Sequence, residues 1–174
     1  KYAVYVGRVS PEKGINTLLD AWSLIGNKYP LKIIGDSDPL QNNKGVEWLG
    51  RLPIDKVYSM IGKASLLIFP SNWYEGFGRT IIEAYAKGTP VIASNMGTMT
   101  ELVRDGATGF HFRPGDAEDL AAKVDQALSN PGLLRDLRKT ARLEFEKKYT
   151  SDAAYQRILE IFRKVGKRSK TINR

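Results

Sequence analysis

Short apolar runs alternate with amphipathic stretches along most of the chain. Tyr2 to Val6 is rich in strand-forming residues and closes at Gly7-Arg8. Ser10 then offers an N-cap with Pro11 at the first helical position, and Ile15, Leu18, Leu19, Trp22 and Ile25 follow at helical spacing. Leu31 to Ile34 predicts a second strand, and a polar link from Ser37 to Gly45 leads to a third at Val46 to Leu49. Asp55 to Gly62 predicts a short helix. Ser65 to Phe69 is a fourth apolar strand closed by Pro70, and the helical pattern Thr80 to Lys87 stops at Gly88 with Pro90 beyond it. Val91 to Ala93 predicts a fifth strand, Thr98 to Val103 a short helix, Asp105-Gly106 a turn, and Gly109 to Phe112 a sixth strand. Asp116 to Leu128 reads as an amphipathic helix capped by Asp116, with Leu120, Val124, Ala127 and Leu128 on its buried side. Leu133 to Lys148 is helical and charged. Ser151 to Val165 is a final helix with Tyr155, Ile158, Leu159 and Phe162 on one face.

Strands alternating with helices predict an α/β fold: a doubly wound parallel sheet, Rossmann-like, covered on both faces. Six strands suit the order 3-2-1-4-5-6. In that order the first and fourth strands are neighbours, the winding reverses between them, and ligands bind at their carboxyl ends. The loops leaving those strands are Gly7 to Gly14 and Ser71 to Arg79. The two most unusual loops of the chain are therefore expected to face each other across one crevice.

Composition narrows this only slightly. A chain of 174 residues, 42% hydrophobic and 26% charged, fits one domain with a sizeable core. Its apolar runs fall far short of the ~20 residues that a membrane span requires. No signal-peptide pattern is present, and a first residue other than Met, on a strand-like run, reads as a piece of something longer. With no cysteine, disulfides and thiolate metal sites are excluded, which fits a cytoplasmic protein. Much of the +8 net charge sits in Arg163, Lys164, Lys167, Arg168, Lys170 and Arg174, so the body is close to balanced. We read residues 1–165 as the domain and 166–174 as a basic tail. Such an end can touch anionic lipid or nucleic acid, and it also serves simply as a solvated tail.

The second crevice loop carries Glu75-Gly76-Phe77-Gly78-Arg79-Thr80. Its two glycines let the backbone come close to a ligand, and the N–H groups opening the next helix form an anion seat. Arg8 and Lys13 enter from the first loop, and two cations at one crevice suit a diphosphate. The plain alternative pairs Arg8 with a carboxylate and leaves Lys13 in solvent. Glu83 either forms an i, i+4 ion pair with Lys87 or accepts hydrogen bonds from a ribose diol, and Glu75 either holds sugar hydroxyls or complements the helix dipole. The first loop lacks G-x-G-x-x-G, which argues against a nicotinamide or flavin dinucleotide, and no G-x-x-x-x-G-K-[ST] marks a P-loop. His111 is the single histidine and has no evident Ser or Cys partner, a poor basis for a triad or a metal centre.

Taken together, these residues resemble the nucleotide-sugar-binding, C-terminal half of retaining GT-B glycosyltransferases of family 4, over nearly the whole chain. Gly7-Arg8-x-x-x-x-Lys13-Gly14 is similar to that family's diphosphate loop, and Glu75 to Glu83 matches its E-x7-E signature with the spacing intact. Gly88-Thr-Pro-Val-Ile-Ala-Ser94, Glu101-Leu-Val-x-Asp-Gly-x-x-Gly109 and Pro114-Gly-Asp116 continue the pattern in order. The sequence departs from the family at Arg79, where an aliphatic residue is commoner, and at Gly97-Thr98, where two glycines are common.

The resemblance implies a hexosyltransferase moving a sugar from a nucleoside-diphosphate sugar to a saccharide or lipid-linked acceptor, as in polysaccharide biosynthesis. Arg8 and Lys13 would neutralise the diphosphate, assisted by backbone N–H groups from Phe77 to Thr80. Glu83 would hold the ribose and Glu75 the transferred sugar, so Arg8, Lys13 and Glu75 are the expected catalytic residues. Gly7, Gly76 and Gly78 complete the phosphate-side backbone, and Arg79 adds a phosphate contact or only surface charge. The base would lie against Gly35-Asp36 and Gly50-Arg51-Leu52. The family generally works without a metal, in keeping with the lack of an Asp-x-Asp pair at the phosphates; Asp36-Ser-Asp38 falls on a neighbouring loop. No metal or other cofactor is expected. An acceptor-binding domain would precede Lys1, leaving this piece inactive or nearly so alone. The implied partners are that domain, the nucleotide-sugar, the acceptor and the inner membrane surface as a peripheral contact, with no nucleic acid. A non-catalytic nucleotide-sugar-binding or interaction module of the same fold is the alternative.

Overall fold

A computed structural model describes residues 1–36 and 43–172, with the side chains of the last helix described as far as Val165. Ser37, Asp38 and most of the polar link after the second strand lie outside the described residues, as do Asn173 and Arg174. The strands β1 (Ala3–Val6), β2 (Leu31–Ile34), β3 (Val46–Trp48), β4 (Leu66–Phe69), β5 (Val91–Ser94) and β6 (Gly109–Phe112) form one sheet. Every neighbouring pair is parallel, and the order is β3-β2-β1-β4-β5-β6, as the alternation of elements predicts. Ala3 lies opposite Leu66 and Val4 opposite Leu67, so β1 and β4 are direct neighbours. The helices are α1 (Ile15–Ile25), α2 (Ile54–Lys63), α3 (Arg79–Ala86), α4 (Met99–Leu102), α5 (Ala117–Leu128), α6 (Pro131–Lys148) and α7 (Ser151–Ile172).

Successive strand side chains point to opposite faces, and each face has its own apolar core. Ala3 and Tyr5 pack with α1 and α5 through Leu18, Trp22, Leu120 and Val124. Val4 and Leu67 pack on the other face with α2, α3 and α6 through Ile61, Ile81, Tyr85 and Ala141. A sheet sealed on both faces needs unbroken apolar strands, and Leu66, Leu67 and Ile68 are all essentially inaccessible. Ile15, Leu18 and Leu19 are fully buried as their spacing predicts, each worth about 1.5–3 kcal/mol relative to exposure. Asp116 caps α5 by accepting the Asp119 N–H at 2.8 Å, again as predicted.

Two ends differ from the sequence reading. The turn begun at Ser10-Pro11 does not continue into α1. Pro11 to Lys13 is an isolated 3-10 turn, Gly14 adopts φ 75°, and α1 starts afresh at Ile15. The reason is steric: a Cβ on Gly14 would lie 1.8 Å from the Pro70 carbonyl oxygen, so the chain must bend where it passes the end of β4. At the other end, α7 runs past Val165 to Ile172, because the segment has no proline and only Gly166 to weaken it. Tyr155, Ile158, Ile161, Phe162 and Val165 of α7 face solvent. Among the described residues, no helix is long and apolar enough to cross a membrane.

Candidate functional site

The reversal of winding between β1 and β4 leaves a crevice at their carboxyl ends, and the two loops are tied together across it. The Asn72 N–H donates to the Glu12 carbonyl at 2.9 Å, and the Ser71 hydroxyl reaches the same carbonyl at 3.3 Å. The closest link is ionic. Lys13 Nζ contacts both carboxylate oxygens of Glu75, at 2.7 and 2.9 Å, although 62 residues separate them. The expected meeting of the first and fourth strand loops is thus direct.

In front of this pair lies a cavity of about 210 Å³ whose lining includes Gly7, Arg8, Lys13, Glu75, Phe77 and Thr80. Arg79 also borders it. Past Gly7 and Arg8 the crevice continues into a larger, more open cavity of about 530 Å³, bounded by Gly35, Asp36, Arg51 and Leu52. The two share Val6, Gly7 and Arg8, so they form one continuous surface across the ends of β4, β1 and β2. The join between them is backbone: a Cβ on Gly35 would come within 2.2 Å of the Gly7 carbonyl oxygen.

Each cation at the crevice carries its own carboxylate. Arg8 Nη2 lies 3.2 Å from Glu12, Arg79 Nε 3.0 Å from Glu83, and Arg51 Nη2 2.7 Å from Asp36. The plain alternative for Arg8 therefore holds in this structure, whereas Lys13 is not in solvent but bonded to Glu75. The Arg8 side chain is 68% exposed, so its pair with Glu12 is weak, about 0–1 kcal/mol, and a phosphate could replace it. Glu75 is better held. The buried Ser71 hydroxyl donates to its Oε1 at 2.7 Å, and the Thr98 hydroxyl donates to its backbone carbonyl at 2.9 Å. Tyr5, 3% exposed, donates its phenol to the Arg8 carbonyl at 2.6 Å. Burial pushes that phenol's pKa up, and the Glu75 and Glu12 charges add to the effect against Arg8. Tyr5 therefore stays a protonated donor that fixes the Arg8 backbone.

Ser71, Tyr5 and Thr98 are not among the candidate site residues that the sequence offers. Ser71 stands four positions before Glu75 in a turn, where a hydroxyl can bond locally. Tyr5 is the final inward position of β1, whose polar tip must reach the loop beyond. Both were readable signals. Thr98 gave none, since its partner is a backbone group 23 residues away.

The remaining expected residues divide. Gly7, Gly35, Arg51 and Leu52 border the crevice. Gly76 and Gly78 flank Phe77 but border neither cavity. A Cβ on Gly78 would meet Ile81 at 2.9 Å and Leu102 at 3.0 Å, so that glycine serves packing beneath the loop. The Arg79 N–H turns back to the Phe77 carbonyl at 2.8 Å, whereas the Gly78 and Thr80 N–H groups make no hydrogen bond among the described residues. Glu83 does not border the first cavity. It borders a separate one of about 230 Å³ with Tyr58 and Lys87, and the Tyr58 hydroxyl lies 3.4 Å from its Oε1. Its ion pair is with Arg79, one turn back, and Lys87 instead sits 5.7 Å from the Tyr58 ring centre. His111 places a ring nitrogen 3.2 Å from the Met99 carbonyl and borders neither cavity of the crevice.

The profile of the family described as Glycosyl transferases group 1 matches residues 1–144. An uncharacterized glycosyltransferase of Methanocaldococcus jannaschii is 31% identical over 168 residues, covering 92% of this chain and 47% of the relative. The O-antigen chain mannosyltransferase B of Escherichia coli is 32% identical over 144 residues, covering 74% of this chain and 37% of the relative. Among solved structures, an Anabaena protein in complex with UDP and glucose has a TM-score of 0.82 and 24% identity, over 94% of this chain and 48% of that one. That last likeness is one of fold. The chain spans less than half the length of each of these proteins.

Proposed function

Because this chain belongs to the glycosyl transferases group 1 family and has the fold of a GT-B glycosyltransferase C-terminal domain, we propose that it is the donor-binding half of a retaining, family 4 type hexosyltransferase. Its substrate on this reading is a nucleoside-diphosphate sugar, and the sugar passes to a saccharide or lipid-linked acceptor held mainly by a second domain. The observation that carries the reading is the meeting of Arg8, Lys13 and Glu75, from two distant loops, around one cavity at the sheet's switch point.

The chemistry follows from charge. Glycosyl transfer breaks the bond between the anomeric carbon and a diphosphate oxygen, so positive charge grows on the sugar ring and negative charge on the departing group. Fixed cations at that group stabilise the transition state more than the ground state. Arg8 and Lys13 would take this role, with the Thr80 N–H, which makes no hydrogen bond among the described residues, as a further donor. Where Lys13 turns from Glu75 to phosphate, the released carboxylate is free to accept hydrogen bonds from the sugar. On this reading the Glu75 carboxylate holds the sugar's hydroxyls rather than attacking it, so retention is assigned to a same-face displacement in which the acceptor proton passes to the departing diphosphate. The base would extend into the second cavity, against Gly35, Arg51 and Leu52.

Calorimetric titration of the chain with UDP, GDP and ADP tests this. One of them is expected to bind, and Arg8→Ala to weaken it by about 2–3 kcal/mol, the loss of a charged hydrogen bond. A folded chain that binds none of the three, or an Arg8→Ala chain that binds equally well, would end the proposal.

A further inference from the structure

Arg79 borders the first cavity, yet its ion pair runs the other way, to Glu83 on the same helix. The ion pair with Glu83 makes its closest approach through Nε, at 3.0 Å. A guanidinium carries five N–H donors in one plane, so the four on its two Nη atoms remain, and these form the edge that grips a phosphate at two points. The Arg79 side chain is 77% exposed, and among the described residues no protein group takes those Nη donors. The other two cations of this cavity are placed differently. Lys13 has its ammonium on both oxygens of Glu75, and Arg8 commits an Nη atom to Glu12. Arg79 can thus meet an anion through its Nη edge without giving up its carboxylate.

The partner is equally telling. Glu83 is 16% exposed and lies outside the first cavity, so the link between its carboxylate and that cavity is the plane of Arg79. We infer that Arg79 is a two-sided binding and positioning residue: its Nη edge contacts the diphosphate while its Nε fixes Glu83 for the ribose. This rests on the donor-site reading above. It makes phosphate recognition and ribose recognition interdependent, because one rigid side chain serves both. A lysine at this position supplies charge as a single point and has no second donor edge to hold Glu83.

The test is calorimetry on the chain with whichever of UDP, GDP and ADP it binds, together with the matching monophosphate and 2′-deoxy diphosphate. Arg79→Ala is expected to weaken the diphosphate about tenfold, the lower end for a charged hydrogen bond at an exposed site, and to weaken the monophosphate less. It should also reduce the preference for ribose over 2′-deoxyribose, as Glu83→Gln does. Arg79→Lys should recover most of the diphosphate affinity but not the ribose preference, a split that a merely structural role would not produce. The side chain is exposed, so thermal melts of the variants should match the parent. If Arg8→Ala loses the diphosphate while Arg79→Ala stays within about twofold of the parent, the range of a bare surface charge, the inference is overturned and the donor site stands. An unchanged ribose preference in Arg79→Ala overturns it as well. If the parent binds no nucleoside diphosphate, the donor-site reading itself has failed.

Discussion

Glu75 and Glu144 are both carboxylates bonded to a lysine, in opposite settings. Glu144 lies on α6 with its side chain 5% exposed, between Arg104 at 3.2 Å and Lys148 one turn further on. Burial alone would raise its pKa, but the hydrogen bond and charge of Lys148, then those of Arg104, bring it below the ordinary carboxylate range. Two cations are held on one acid, and α6 packs on α3 behind it. Glu75 has a single lysine, brought from another loop, and an open cavity in front. The first arrangement fastens the fold. In the second, a ligand can reach both partners and replace either one. What separates a fastening ion pair from an exchangeable one is therefore access and the number of partners.

If the crevice pair is exchangeable, the loops that present it must be fixed, and moving them should cost more than removing an acid. Gly14→Ala would place a methyl group against the Pro70 carbonyl in a left-handed backbone. We expect it to destabilise the fold by about 2–4 kcal/mol in urea denaturation and to abolish nucleotide binding. A stable Gly14→Ala chain would show that the loops are not fixed after all. Glu144→Ala should cost about 1–3 kcal/mol with nucleotide affinity unchanged. Because the folded pKa of Glu144 is depressed, its contribution is complete above the ordinary carboxylate range and is lost as pH falls through the folded value. The melting-temperature advantage of the parent over Glu144→Gln should accordingly shrink between about pH 6 and pH 3. The smallest effect is expected for Glu75→Gln: less than about 1 kcal/mol of stability, with nucleoside diphosphate bound as well or more tightly. A loss matching that of Glu144→Ala would erase the distinction between the two acids.

Most of the architecture was legible because hydrophobic period and turn residues report local structure directly. The six strands, their order and the Asp116 cap all follow from spacing. Gly14 escaped that reading, since Ser-Pro-Glu-Lys is a good helix start and the obstacle, Pro70, is 56 residues away. The crevice was legible at the level of which loops meet, since topology dictates it. The pairing within it was not. Lys13 chooses Glu75 and Glu83 chooses Arg79 because of side-chain directions that no spacing rule encodes. Glu83 had a lysine at i+4 and an arginine at i−4, both allowed by helix geometry.

The near-contact of Gly35 with Gly7 leaves the passage between the two cavities floored by bare main chain. A molecule long enough to lie across it would be sensed along its middle by peptide groups, which every residue type supplies alike. Beside that floor the Arg8 side chain borders both cavities, and further side chains would meet the molecule near Glu75 on one side and Arg51 on the other. Taste for a new occupant can then be altered at either extremity by substitution, while the seat at the centre stays as it is.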